Sequence, residues 1–249
     1  MEVKFLIAGD CAVSIQMGNV ISLEVNRQVR MLQEELEKHP IHGVTEMVPT
    51  YASLMIHYRP DKISFEQLKE EVMKRTCGME QVEDAKKIIK EIPICYEGEL
   101  GMDLEECAAL ENLSTEDVIK MHSGHEYYAY MLGFAPGHAY MARFEEPFHF
   151  KRRPTPRVHI SARSIVVQEN LSNLIPFDQP CGWNIIGTTP LTICDYTKKD
   201  PFLVHAGEWV KFIPVSRREY DKIREADLRG NYHVKTYETV SYTHLTLPT

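Results

Sequence analysis

The sequence predicts two domains, a small α+β domain over residues 1–95 and an all-β barrel domain over residues 96–227, on three observations. Before residue 95, apolar residues recur at helical spacing in two stretches set among strand-like runs. After Glu126 the pattern changes to short apolar runs divided by proline and glycine, which continue to about Pro214 and mark a β-barrel or sandwich. Between the two lies Tyr96-Glu97-Gly98-Glu99-Leu100-Gly101-Met102-Asp103, a polar, glycine-bearing connection that sets the expected boundary. No βαβ alternation is present, which excludes a nucleotide fold of the Rossmann type.

In chain order, Val3–Ala8 and Ala12–Met17 read as an opening hairpin turned at Gly9-Asp10, with Asp10 as an Asx-turn residue. Ile21, Val25, Val29, Leu32 and Leu36 then line one face of a helix, until Pro40 and Gly43 stop it. Val44–Val48 and Ser53–Tyr58 are strands flanking Pro49. Ser64-Phe65-Glu66-Gln67 is a capping box with Ile63 and Leu68 placed as a hydrophobic staple, so a second helix runs from Phe65 to about Arg75. Lys86–Cys95 supplies the last strand of this domain, two helices on one face of a mostly antiparallel sheet.

Short helices are expected at Leu104–Leu110 and, behind the cap Ser114, at Glu116–Met121. Strands follow near Tyr127–Leu132, Ala139–Phe144, Val158–Ile160, Ile165–Gln168, Asn184–Gly187, Leu191–Cys194 and Glu208–Pro214, then a surface helix over Ser216–Ala226. Residues 228–249 read as a tail without pattern, in which Ser241–Thr249 looks like translated adapter read-through rather than native chain.

A formal charge of -8 and a sequence pI of about 5.8 offer no field for phosphates, which excludes nucleic acid and anionic membrane as expected partners. No apolar run nears the ~20 residues that span a bilayer, and Phe5-Leu6-Ile7-Ala8 lacks the flank and length of a signal segment, so a cytoplasmic protein is expected. Six scattered cysteines without a Cys-x-x-Cys pair suit reduced thiols. His122 and His125 are separated by a helix-breaking Ser123-Gly124, and no metal site is expected.

Two punctuated stretches hold the candidate chemistry, Met131–Met141 and Pro180–Leu191. Glycine permits close backbone approach and Pro136 presets a bend, which places Phe134, Pro136, Gly137, His138 and Tyr140 around one turn. The second stretch contributes Gly182, Trp183, Gly187 and Thr188. His138 could serve as a general base or be an ordinary half-buried residue; Arg157 could hold a carboxylate or phosphate in bidentate fashion or be a surface cation on a barrel strand. Trp183 could line a ligand or sit in the core, and Glu145-Glu146, a paired-carboxylate candidate whose adjacent strand positions point to opposite faces, read rather as solvated loop charges. No P-loop, nucleophile elbow, zinc-protease or kinase signature is present. The expected arrangement is a partner-facing cleft with catalytic His138, Tyr140 and Arg157, Pro136-Gly137-His138 on one wall and Gly182-Trp183 on the other.

Together with Gly9-Asp10, Val48-Pro49-Thr50-Tyr51-Ala52-Ser53-Leu54 and Thr155-Pro156-Arg157, these stretches resemble the family of 5-oxoprolinase B subunits, which also contains KipI-type inhibitors of a sporulation histidine kinase and carries carboxyltransferase subdomains C and D. The resemblance runs from about Phe5 to about Val215 and implies that the barrel is cyclophilin-like. It further implies a hydrolase component that pairs with a C-subunit homologue and acts with an A-subunit homologue in ATP-dependent opening of 5-oxoproline to glutamate, with ATP and Mg²⁺ used at the level of the complex. The alternative it implies is an inhibitor that docks a histidine kinase. Where the family has a Pro-Ala-Gly-Ser-Val-Gly-Ile-Ala-Gly-type run, this chain reads Ser161-Ala162-Arg163-Ser164-Ile165-Val166-Val167-Gln168-Glu169, and its Pro-Gly-Phe and Tyr-Leu-Gly-Gly become Pro136-Gly137-His138 and Tyr140-Met141-Ala142-Arg143. The lost glycines are expected to narrow the cleft.

Overall fold

A helical stripe and two alternating hairpins build the first of two units in the computed structural model, which describes residues 3–76, 87–142 and 148–239. Strands β1 (Lys4–Ile7), β2 (Ala12–Gln16), β3 (Val44–Pro49) and β4 (Ser53–Tyr58) form an antiparallel sheet in the order β1-β2-β4-β3. Helix α1 (Leu23–Lys38) begins where Ser22 Oγ accepts the Val25 N–H at 3.2 Å, and it buries Val29, Leu32 and Leu36. Helix α2 (Phe65–Thr76) carries the expected capping box: Gln67 N–H donates to Ser64 Oγ at 3.2 Å and Ser64 N–H to Gln67 Oε1 at 3.0 Å. Ile63 and Leu68 are both buried, as a staple requires, and join one core with Val13, Ile15, Leu54 and Ile56.

The division between units falls between Ala85 and Lys86, ahead of the polar segment at 96–103 that the sequence suggested. Strand β5 (Lys87–Ile94), expected in the first domain, pairs in parallel with β13 (Trp209–Pro214) and antiparallel with β14 (Thr236–Thr239). An Ile-rich strand suits any sheet, and here its partners lie far downstream. Strand β14 itself lies in residues that had read as a patternless tail. Cys77, Arg143, Glu145, Glu146 and the 241–249 segment fall outside the described residues.

The second unit also contains α3 (Leu104–Glu111), α4 (Thr115–Ser123), α5 (Arg217–Leu228), and strands β6 (Glu126–Leu132), β7 (Ala139–Ala142), β8 (Arg157–Ile160), β9 (Ser164–Gln168), β10 (Leu171–Leu174), β11 (Gln179–Cys181) and β12 (Asn184–Thr188). Eight strands run in the order β12-β9-β10-β7-β6-β13-β5-β14, and β8 pairs with β11 apart from them. Among the described residues the expected closed barrel does not form. Along its length β5 already has a neighbour on each side, so only Cys95, just beyond it, reaches β12, in a single bridge to Thr188 (N–H···O 3.0 and 2.9 Å). Leu191–Cys194 is not a strand either; beyond Pro190 it makes one isolated bridge, Cys194 to Phe202.

Alternation along the strands sorts the side chains onto two faces. Ile165, Val167, Ile186, Met141 and Phe212 belong to the main core with α3 and α4, whereas Val166 and Ile185 pack with Ile160 and Ile175, flanked by Cys181 and Trp183. His122 lies in the main core as a fully satisfied residue. Its Nδ1 meets the Tyr96 hydroxyl at 2.7 Å, its Nε2 meets Ser172 Oγ at 2.9 Å, and its ring stacks on Phe212.

Candidate functional site

The β6–β7 hairpin turns through two left-handed residues, Phe134 (φ 65°) and Gly137 (φ 78°). The turn closes with Gly133 N–H donating to His138 O at 3.1 Å and His138 N–H to Ala135 O at 3.0 Å. A Cβ on Gly137 would stand 3.1 Å from the Cys194 Cβ, the close approach expected of that glycine. Phe134, a bulky residue held at positive φ, is 75% exposed beside an apolar groove lined by Leu132, Pro136, Gly137 and Phe202. Such backbone costs about 1–2 kcal/mol and marks a place where something other than local stability selects the conformation.

Behind this tip, β7 and β10 are registered with Asn173 opposite Tyr140, on the face that also carries His138. Asn173 Oδ1 accepts the Met141 N–H at 3.3 Å, which leaves Nδ2 to donate to His138 Nε2 at 3.1 Å. The proton of the neutral ring therefore sits on Nδ1, which is buried and has no hydrogen-bond partner among the described residues. Burial pushes the His138 pKa down to about 4, so the ring is neutral at pH 7 and a weak base. It stacks on Tyr140 with centroids 4.8 Å apart, and Phe134 meets it edge-on. Burial, and secondarily the nearby Cys181, raises the Tyr140 pKa, so the phenol keeps its proton.

Arg157 is held within the protein. Its Nη1 and Nη2 donate to Asp103 Oδ2 and Oδ1 at 2.9 and 2.5 Å, and Asp103 is 2% exposed. Asp103 also accepts the Ile185 N–H at 2.7 Å and Arg153 Nη1 at 3.3 Å. The carboxylate that Arg157 holds in bidentate fashion is thus one of the protein's own, and the guanidinium forms a structural ion pair rather than a lone surface cation. Thr188 donates to Leu100 O at 2.8 Å, and a Cβ on Gly187 would meet Ile94 at 2.6 Å, so both serve packing. A Cβ on Gly182 would fall 2.6 Å from Arg152 Nε, and Trp183 is partly buried against the Ile160 cluster.

The structure thus gathers His138, Tyr140 and Asn173, with Cys181 close to Tyr140 and registered opposite Arg157 across β8 and β11. The groove at the tip and a cavity of about 310 Å³ at Arg157 and Thr188 share no lining residue. Three residues in these places were not singled out from sequence: Asp103, Asn173 and Arg163. Arg163 and Glu169, standing where the resemblance expects glycine, keep left-handed φ of 72° and 51°. The loops therefore retain the backbone path of glycine, and what changes is the side chain added.

The family model described as carboxyltransferase domain, subdomain C and D, matches residues 3–204. The B subunit of 5-oxoprolinase from Bacillus subtilis (strain 168) is 35% identical over 237 residues, covering 90% of this chain and 99% of that protein. The solved structure of TTHA0988 is 31% identical with a TM-score of 0.73; the match covers 82% of this chain and 40% of that one, so this chain spans about two fifths of its length. The urea amidolyase of K. lactis, 18% identical with a TM-score of 0.80 over 96% of this chain and 16% of its own, has the same fold.

Proposed function

The chain belongs to the carboxyltransferase domain, subdomain C and D, family, and on that premise we propose that it is the B subunit of an ATP-dependent 5-oxoprolinase, sharing a site with a C-subunit partner. The observation that carries this is the 35% identity to a 5-oxoprolinase B subunit over 99% of that protein's length. Local geometry supports a shared site. The neutral His138 ring stacks on the protonated Tyr140 phenol with Asn173 beside them, so polar side chains gather on one face directly behind the exposed tip. ATP and Mg²⁺ are placed at the level of the complex, without assignment to one of its subunits.

The test is reconstitution. Purified chain mixed with A-subunit and C-subunit homologues, 5-oxoproline, ATP and Mg²⁺ should release glutamate, while the chain alone should not. Steady turnover by the chain alone would overturn the reading. A second reading, a KipI-type inhibitor, is favoured by one observation, the exposed and strained Phe134 beside an apolar groove, which suits a protein partner. Binding to a histidine kinase domain but to no C-subunit homologue would put that reading in place of the first.

A further inference from the structure

The cavity beside β8 and the β8–β9 turn is lined by Leu100, Met102, Ile160, Ile185, Arg163 and Tyr220 among others. The Arg163 backbone is pinned on both sides, with its N–H donating to Ile175 O at 2.6 Å and its carbonyl accepting the Thr189 N–H at 3.0 Å. At φ 72° this left-handed backbone sets the course of the side chain, whose Nη1 donates to the Tyr220 hydroxyl at 2.7 Å. Tyr220 is 5% exposed, and as an acceptor toward Arg163 it keeps its own proton to donate.

The charges around this cavity are otherwise matched. Arg157 is bound by Asp103, Glu99 by Arg217 at 2.5 Å, and Asp178 by His159 at 3.1 Å and the Ala162 N–H at 2.8 Å. Arg224, which Arg163 faces from α5, is bound by Asp227 at 3.0 Å. Among the described residues Arg163 alone of these cations has no carboxylate within ion-pair range, Asp178 acting on it only from farther off. One unmatched guanidinium, a hydroxyl donor beside it and apolar walls form a site for one negative charge on an apolar body. Glu99 and Asp178 at the margin disfavour a dianion such as phosphate.

We propose that this cavity binds a small monocarboxylate, with the carboxylate on Arg163 and Tyr220 and the apolar body against Leu100, Ile160 and Ile185. The inference stands on the cavity alone and does not depend on the oxoprolinase reading. It is tested by calorimetric titration of the full chain with cyclopentanecarboxylate, 5-oxoproline, 2-pyrrolidinone and inorganic phosphate. Cyclopentanecarboxylate should bind, and pyrrolidinone and phosphate should bind about tenfold more weakly or not at all. Arg163→Gly, which suits the left-handed backbone, should keep the parental melting temperature or raise it while weakening carboxylate binding about tenfold. Tyr220→Phe, which retains the packing, should weaken it several-fold. Unchanged binding in a folded Arg163→Gly protein, preference for phosphate, or no carboxylate binding at about 10 mM would overturn the proposal. Binding of cyclopentanecarboxylate without 5-oxoproline would uphold the cavity site and leave the oxoprolinase reading to the reconstitution test.

Discussion

Replacing Arg157 with alanine should destabilise the second unit, an outcome opposite to the silent structural effect expected of a solvent-facing catalytic arginine. The substitution removes two charge-assisted hydrogen bonds to Asp103, which is 2% exposed and cannot turn to water. Breaking a buried pair from one side costs about 3–5 kcal/mol, because the remaining charge is left uncompensated. Here the Ile185 N–H at 2.7 Å and Arg153 at 3.3 Å still serve Asp103, so the expected loss is about 2–4 kcal/mol. Both tryptophans, Trp183 and Trp209, lie in this unit, so their fluorescence in urea reports it selectively. With an m-value of about 2 kcal/mol/M, the midpoint should fall by about 1–2 M. Arg157→Lys should recover only part of the loss, since an ammonium cannot make the two-pronged contact. A change below about 0.5 kcal/mol would refute the assignment of Arg157 to a buried pair.

Two further outcomes follow from the tip and its histidine. The His138 pKa is lowered in the fold to about 4 from an ordinary value of 6.5, so its neutral form contributes stability in full above pH 6.5 that is lost as the pH falls toward 4. The slope should reach about 1.4 kcal/mol per pH unit, about 3 kcal/mol in all, and His138→Gln should flatten it; a wild-type-minus-variant difference constant between pH 7 and 4.5 would count against a buried, neutral ring. Phe134→Gly should raise stability by about 1 kcal/mol by relieving the left-handed backbone, and it should weaken assembly with a C-subunit homologue in an analytical size-exclusion assay. Assembly unaffected by the change would remove the tip from the proposed interface.

Legibility of the fold followed how local its causes are. Ser22 and Ser64 caps, the Ile63–Leu68 staple and the Val29–Leu32–Leu36 stripe lie within a few residues of one another, and α1 and α2 could be read directly. The strand β5 could be read too, but the sheet it joins could not, because its partners Trp209–Pro214 and Thr236–Thr239 are more than a hundred residues away. A four-residue edge strand such as β14 has too few positions for alternation to show, and closure of a barrel depends on which edges are already occupied. At the site, glycine and proline pointed correctly to the bend at Gly137 and its close approach to Cys194. They carried no signal for Asn173, whose hydrogen bond settles the His138 tautomer from another strand.

Two arginines show most plainly where reading the sequence stops. Arg157 followed a proline in a motif-bearing stretch and looked available, whereas Arg163 sat in a segment notable mainly for its missing glycines. Folding reverses their standing through one variable, the distance to a buried carboxylate. Asp103, placed at the start of α3 within a segment that looked like a polar connection, meets Arg157 and takes up its charge. Arg163 is held by a backbone that would suit glycine, and it meets a tyrosine hydroxyl instead, so among the described residues it forms no ion pair. Ligand recognition depends on such residual charge rather than on the number of cations near a cavity. Arg157→Ala should therefore be read in stability and Arg163→Gly in binding; an exchange of those two phenotypes would mean that the charge pairing described for this cavity is wrong.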